Sequence, residues 1–312
     1  MCYIIIIYII PAITSYLLSS LKAVIFRTKT YQSMMKKISQ ALLLAGAVMV
    51  SASAFAQGKA DKLGWKIGAQ AYTFNRFTLA EALDKMDSVG VHYVECYNGQ
   101  KLGGGIEGVF EWKMDAAKQA QVKALFKNKN KQLVAYGVLS PADEKEWNEV
   151  FTFAKAMGIQ VITAEPKREH WDLISKLCDK YQIKVAIHDH PKPSHYWHPD
   201  SVLVAIKGRS PLMGSCADIG HWVRSGLDPV ECIKMLKGHV LHSHFKDLNE
   251  KSPDAHDVIW GTGVSNMAGV LAELKKQNFK GMFSVEYEYH WDNSVPEVKE
   301  SVKYWWAQVN KL

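Results

Sequence analysis

The stretch Val240-Leu241-His242-Ser243-His244-Phe245-Lys246-Asp247 mixes apolar and titratable residues. Read as a strand, its two-residue period sends His242, His244 and Lys246 to one face, where a core strand would carry Val or Leu. Imidazoles and an ammonium are costly to bury there unless they are paired or bind an ion. Other apolar runs end the same way. Thr163-Ala164-Glu165, Ile187-His188-Asp189-His190, Cys216-Ala217-Asp218-Ile219-Gly220-His221-Trp222 and Ser284-Val285-Glu286-Tyr287-Glu288 all close on carboxylates or imidazoles, and an earlier run ends in Glu95-Cys96-Tyr97. Alternation turns His188 and His190 inward on one run, Cys216 and Asp218 on the next, and Ser284, Glu286 and Glu288 on the last, with the small Ala186 and Gly214 beneath. Nitrogen and oxygen donors without thiolate suit one divalent first-row cation, Mn, Zn or Co, and disfavour a structural zinc cage.

The elements that position these residues alternate without a break from Leu63 onward. Strands are expected at Lys66–Phe74, His92–Tyr97, Gln132–Val138, Gln160–Glu165, Lys184–His188, Met213–Asp218, Val240–His244 and Met282–Glu286. Helices are expected between and after them: Leu79–Val89, Lys113–Lys127, Ala142–Met157, Glu169–Tyr181, His198–Ile206, Pro229–Lys237, Asn266–Gln277 and Ser294–Asn310. Eight such units imply an α/β protein built as a single (β/α)8 TIM barrel, whose catalytic groups sit at the C-terminal ends of the strands. No G-x-G-x-x-G follows the first strand, which disfavours a doubly wound sheet.

The first part of the 312-residue chain reads differently. Met35-Lys36-Lys37, the apolar run Ala41 to Val50 and Ala54-Phe55-Ala56 follow the order of a secretory signal peptide. Residues 35–56 are expected to be that signal, starting at Met34 or Met35 and cut after Ala56; residues 1–34 are then an over-extended gene start, and 57–312 the barrel. Pro11, Ser15, Lys22 and Arg27 break up the earlier apolar stretch, which disfavours a membrane span. The expectation is an exported, periplasmic protein with no membrane attachment after cleavage. Residues 1–56 carry five of the basic residues and no acidic one, so the formal charge of +7 falls to +2 without them, and nucleic-acid binding through net charge loses its support. Cys96, Cys178, Cys216 and Cys232 are scattered, without CxxC spacing, and are expected as buried free thiols.

From about Lys66 to Leu312 the chain resembles the xylose isomerase-like TIM barrels, the sugar phosphate isomerase/epimerase superfamily that also contains tagatose epimerases, hydroxypyruvate isomerases and apurinic endonucleases. The resemblance rests on Asp218-Ile219-Gly220-His221, His244-Phe245-Lys246-Asp247, Gly261-Thr262-Gly263-Val264 and the run from Gly281 through Glu286 to Glu288. It implies metal ligands at the ends of strands five to eight, which here are His188, Asp218, His244 and Glu286, with His244 in register with Asp218 and Glu286. Strand five departs from the family pattern: sugar epimerases usually have Glu where this chain has His188-Asp189-His190, so either His188 or His190 is the ligand there, and Glu165 could supply the missing carboxylate as ligand or base.

Resemblance and rim chemistry together imply a metal-dependent sugar isomerase or epimerase that abstracts a proton next to the carbonyl of a ketose or keto-sugar. Glu165 and His190 are the expected proton-moving groups. His221 and Lys246 are expected on substrate oxygens, with Glu95 and Trp222 also at the substrate; for Lys246 the alternative is an ion pair with Asp247 or another rim carboxylate. Trp291 and Tyr97 are further candidate platforms for a sugar ring. Export favours a free or oxidised sugar over a sugar phosphate. Elimination or hydrolysis of a 3-keto-glycoside uses the same α-proton chemistry and is the alternative reaction; a non-catalytic sugar-binding barrel is a third reading. Gly103-Gly104-Gly105 is expected as a flexible lid.

Overall fold

The structure, a computed structural model, describes residues 36–37 and 58–312. Apart from 36 and 37, the expected export signal and the segment before it lie outside the described residues. Among the described residues, no helix is long and apolar enough to cross a membrane.

Eight parallel strands close into a barrel in chain order: β1 Trp65–Gln70, β2 Tyr93–Cys96, β3 Gln132–Leu139, β4 Val161–Ala164, β5 Lys184–His188, β6 Met213–Asp218, β7 Val240–Phe245 and β8 Gly281–Val285, which pairs back to β1. The expected barrel is present strand for strand. The first strand is shorter than its apolar run suggests. At its end the Gln70 side chain accepts the Tyr72 N–H, and Ala71–Phe74 coils into a 3-10 turn instead of extending.

Local chemistry sets the helix starts. Thr78 and Glu81 form a reciprocal capping box on Leu79–Ser88, while the carboxylates of Asp115, Asp143 and Asp228 cap later helices. Apolar faces such as Trp147, Phe151 and Trp305 pack these helices on the outward residues of the strands. Cys96, Cys178, Cys216 and Cys232 are all buried and free.

The Gly103-Gly104-Gly105 run forms the turn of a hairpin between Gln100–Gly103 and Ile106–Phe110, with φ of +67°, +59° and +81°. A Cβ at Gly103 would lie 2.4 Å from the Thr78 hydroxyl, so the base of the turn is packed against the start of the helix Leu79–Ser88, while a Cβ at Gly105, at its tip, would meet nothing within 4 Å.

Asp247 explains two of the sequence motifs at once. Its Oδ1 accepts the N–H groups of Leu248 and Ser265, both at 3.0 Å; its Oδ2 accepts those of Gly261 at 2.8 Å and Gly263 at 3.0 Å. A Cβ at Gly263 would sit 2.2 Å from the Leu248 carbonyl oxygen, so only glycine lets the loop reach this carboxylate. Asp247→Ala strands four backbone donors. It is expected to lower stability by on the order of 3 kcal/mol, a fall in Tm of roughly 6–12 °C by thermal unfolding. An unchanged Tm would refute the role.

Candidate active site

His188, Asp218, His244 and Glu286 converge at the C-terminal mouth of the barrel. All four are buried, and each offers one ligand atom within 4.8 Å of the others. His188 Nε2, Asp218 Oδ2, His244 Nδ1 and Glu286 Oε2 are buried; the two nitrogens have no hydrogen-bond partner, and the two oxygens meet the Lys246 ammonium at 3.1 and 2.8 Å. His188 Nε2 stands 3.5 Å from Asp218 Oδ2; His244 Nδ1 stands 3.9 Å from that same oxygen and 3.1 Å from Glu286 Oε2. Unsatisfied buried polar atoms are few in folded proteins, and two bare imidazole nitrogens beside two carboxylate oxygens call for a cation. Two imidazole nitrogens and two carboxylate oxygens fit a divalent first-row cation.

The remaining atoms of these side chains are held from behind. His188 Nδ1 lies 3.1 Å from Glu165 Oε1, and His244 Nε2 lies 3.0 Å from Glu95 Oε2. A ring N–H donated to each carboxylate leaves the other nitrogen's lone pair facing the cluster. Asp218 Oδ1 accepts the His221 N–H at 2.9 Å, capping the short helix Ile219–Arg224, so the helix start itself directs Oδ2 to the site.

Strand register corrects one expectation. His244 is level with Asp218, but on the other side it is level with Ser284, and Glu286 lies two residues further along β8. Closing a sheet into a barrel staggers the strands, so ligands on one inward face need not be level. The long Glu286 side chain takes up the offset.

The other residues singled out in the sequence fall into different places. Glu95 is not at the substrate: it is fully buried, with its carboxylate bonded to His242 at 2.8 Å, Ser284 at 2.8 Å and Thr163 at 2.6 Å as well as to His244. Burial pushes the Glu95 pKa up, but the His244 and His242 imidazoles outweigh it and hold the carboxyl well below its usual range. Trp222 is buried in the layer between barrel and helices, away from the cavity. Glu165 has both oxygens engaged: Oε1 accepts from the His190 N–H at 2.9 Å and lies 2.5 Å from His190 Nδ1, and Oε2 accepts from the Ser194 hydroxyl at 3.1 Å. His190 is half-exposed, and its ring stacks on that of His221 at 5.3 Å. Lys246 is buried, with Nζ 3.1 Å from Asp218 Oδ2, 2.8 Å from Glu286 Oε2 and 2.7 Å from Glu288 Oε2, so its ammonium meets rim carboxylates and not Asp247. Its stem passes over Gly220, where a Cβ would lie 2.2 Å from Lys246 Cγ; this accounts for the glycine in Asp218-Ile219-Gly220-His221.

Above the cluster opens a cavity of about 310 Å³ whose lining includes His188, His190, His221, Glu286, Tyr97 and Gln70. Three neighbouring residues were missed in the sequence. Asp189, between the two histidines, is buried and accepts the Asp218 N–H at 2.9 Å; burial and the Asp218 charge raise its pKa well above the usual range. Arg224 reaches His221 Nδ1 and Glu288 Oε2, each at 3.2 Å. Asp257 accepts the Glu288 N–H at 2.8 Å, with its pKa pushed up to about 7, chiefly by burial. Asp189 points away from the ligand phase and Asp257 lies 29 residues before Glu286, so strand alternation marks neither.

A family model described as xylose isomerase-like TIM barrel matches residues 83–308. The chain belongs to this family. Among solved structures, it is similar to an uncharacterised protein from Parabacteroides distasonis, at 36% identity over 78% of this chain and 98% of that one, with a TM-score of 0.65. It is also similar in fold to a D-tagatose 3-epimerase-like protein, at 19% identity over 79% and 98% of the two chains with a TM-score of 0.61. The D-allulose 3-epimerase from Methylomonas sp. in complex with D-allulose follows at 14% identity, over 78% and 97%, again with a TM-score of 0.61. No curated protein matches. Within this family of barrels, the mouth that carries the cluster is where the fold places its chemistry.

Proposed function

We propose that this xylose isomerase-like barrel holds one divalent cation through His188, Asp218, His244 and Glu286 and removes a proton next to the carbonyl of a ketose or keto-sugar, acting as an isomerase or epimerase. The observation that carries this reading is the convergence of four buried ligand atoms, the two imidazole nitrogens among them without a partner, beneath a polar cavity. A divalent ion in this donor set supplies Lewis-acid polarisation of a carbonyl oxygen.

The chain's own groups handle the proton. The Glu165 carboxylate accepts from His190 Nδ1, which leaves Nε2 as the free acceptor on a half-exposed ring that lines the cavity. His190 then takes the α-proton, and Glu165 fixes the tautomer and stabilises the imidazolium. In this reading Glu165 and His190 move the proton together, one through the other. His221 stays neutral, since burial drives its pKa well below the usual value; with Gln70 and Tyr97 it orients substrate hydroxyls.

The deciding experiment joins metal analysis of the purified protein with deuterium exchange from solvent into a panel of ketoses and 3-keto-glycosides. About one divalent ion per chain and exchange at a single carbon are expected. A metal-free protein that exchanges nothing would overturn the reading. His190→Gln is expected to slow exchange by roughly 10²–10⁴-fold while leaving metal content intact; an unchanged rate would remove His190 from the mechanism. Glu95→Gln, acting through His244, is expected to weaken metal binding by about 10–100-fold in a chelator competition. Unaltered affinity would show that Glu95 only fills the barrel.

One observation favours the 3-keto-glycoside reaction as a second reading. Tyr72, at the cavity wall, meets the rings of Tyr97 at 5.2 Å and Trp291 at 5.7 Å, and Trp291 lines a further cavity of about 740 Å³. That aromatic wall suits a second sugar ring. Product analysis separates the two: release of an aglycone supports elimination or hydrolysis, and an epimer alone excludes it. The proposed setting is the periplasm, after cleavage behind Ala56. A mature N-terminus at Gln57, found by mass spectrometry of the native protein, would support it, and an uncut N-terminus would refute it.

A further inference from the structure

The closed end of the barrel, opposite the proposed active site, holds a cavity of about 500 Å³ that the reaction does not use. The alternation that turns ligands inward at one end turns lysines inward at the other. Lys184 shares its phase on β5 with Ala186 and His188, Lys66 shares its phase on β1 with Gly68 and Gln70, and Lys280 precedes β8 in phase with Met282, Ser284 and Glu286. Strands one and five face each other across an eight-stranded barrel, so Lys66 and Lys184 approach one axis from opposite sides. Lys155 and Lys280 complete the rim, and the lining contains no Asp or Glu.

Two further observations separate this place from a solvated surface. Lys66 and Lys184 are both part-buried, and burial together with the charge of Lys66 lowers the pKa of Lys184, as expected of a part-buried ammonium beside another. The cavity also reaches His242, which is fully buried; its Nε2 is bonded to Glu95, and its Nδ1 has no partner. Cations around one concave space form a receptor for a small multivalent oxyanion, which lysines bind as point charges.

We propose that the N-terminal end of the barrel is an anion site, in which Lys66, Lys184 and Lys280 bind a phosphate or sulfate dianion above His242. It lies at the opposite end from the proposed metal centre and does not depend on that reading.

The test uses full-length protein stripped of metal by chelation, so that the barrel mouth cannot capture the anion through a cation. Inorganic phosphate is titrated in at constant ionic strength, balanced with sodium chloride, and thermal unfolding is followed alongside calorimetry. A saturable rise in Tm of about 3 °C or more at tenfold excess over Kd is expected, with matched heats of binding. Lys66→Gln combined with Lys184→Gln is expected to abolish both signals. Without phosphate, this variant unfolds at the same or a higher temperature than the parent, because two mutually repelling charges are gone. Lys303→Gln, on the outer helix, keeps the full response. Phosphate behaving like chloride, or a double variant that still responds, overturns the proposal.

Discussion

Asp218→Ala is expected to strip the protein of its divalent ion and to reduce exchange by about a thousandfold or more. Polarisation by a metal ion contributes several kcal/mol to the transition state, and each 1.36 kcal/mol is a factor of ten in rate. The same change removes the N-cap of Ile219–Arg224, because Asp218 Oδ1 accepts the His221 N–H at 2.9 Å, which costs about 1 kcal/mol of stability. Asp218→Asn separates the two effects: its side-chain oxygen can still cap the helix, while the charge that would hold the ion is lost. Metal content measured on both variants, beside Tm, decides the matter. If Asp218→Asn retains a full equivalent of metal and its exchange rate, the cluster is not the metal centre.

The strand ends were legible in the sequence because alternation is local. It places His188, Asp218, His244 and Glu286 on inward faces from the sequence alone, and the structure brings those four together. It says nothing of level, since the stagger of a closed barrel is a property of all eight strands, and so Glu286 was expected beside His244 and lies beside it only through its side chain. Glu95 shows the same limit. Its place at a strand end suggested the substrate, yet its side chain reaches His242, Ser284 and Thr163, 68 to 189 residues away in sequence. Trp222 sits on a six-residue helix, too short for a periodic pattern to mark the buried face. Asp247 followed the lysine in a motif that suggested chemistry, whereas its four backbone contacts make it the anchor of the Gly261-Thr262-Gly263-Val264 turn.

Lys246→Met is expected to have the largest effect on stability, and the reason is charge. The ammonium is the cation that meets Asp218 Oδ2, Glu286 Oε2 and Glu288 Oε2, all within 3.1 Å, at a site where its own side chain is fully buried. Burial pushes the Lys246 pKa down, but the three carboxylates outweigh it and raise it well above its usual value, so the group is charged at neutral pH. Removing one partner from a buried ionic cluster leaves the other charges uncompensated, at a cost of about 3–5 kcal/mol, or a fall in Tm of roughly 6–20 °C for the metal-free protein. A divalent ion drawn by the same Asp218 and Glu286 oxygens would restore positive charge where the ammonium was lost. Saturating metal is therefore expected to recover much of the loss, and to raise the Tm of Lys246→Met by more than it raises that of the parent. The parent ammonium, by repelling the ion, would lower its affinity; in the variant, metal binding tightens. An equal metal-induced rise in both proteins would show that Lys246 and the ion do not compete for these carboxylates, and an unchanged metal-free Tm would show that the ion pairs add nothing to the fold.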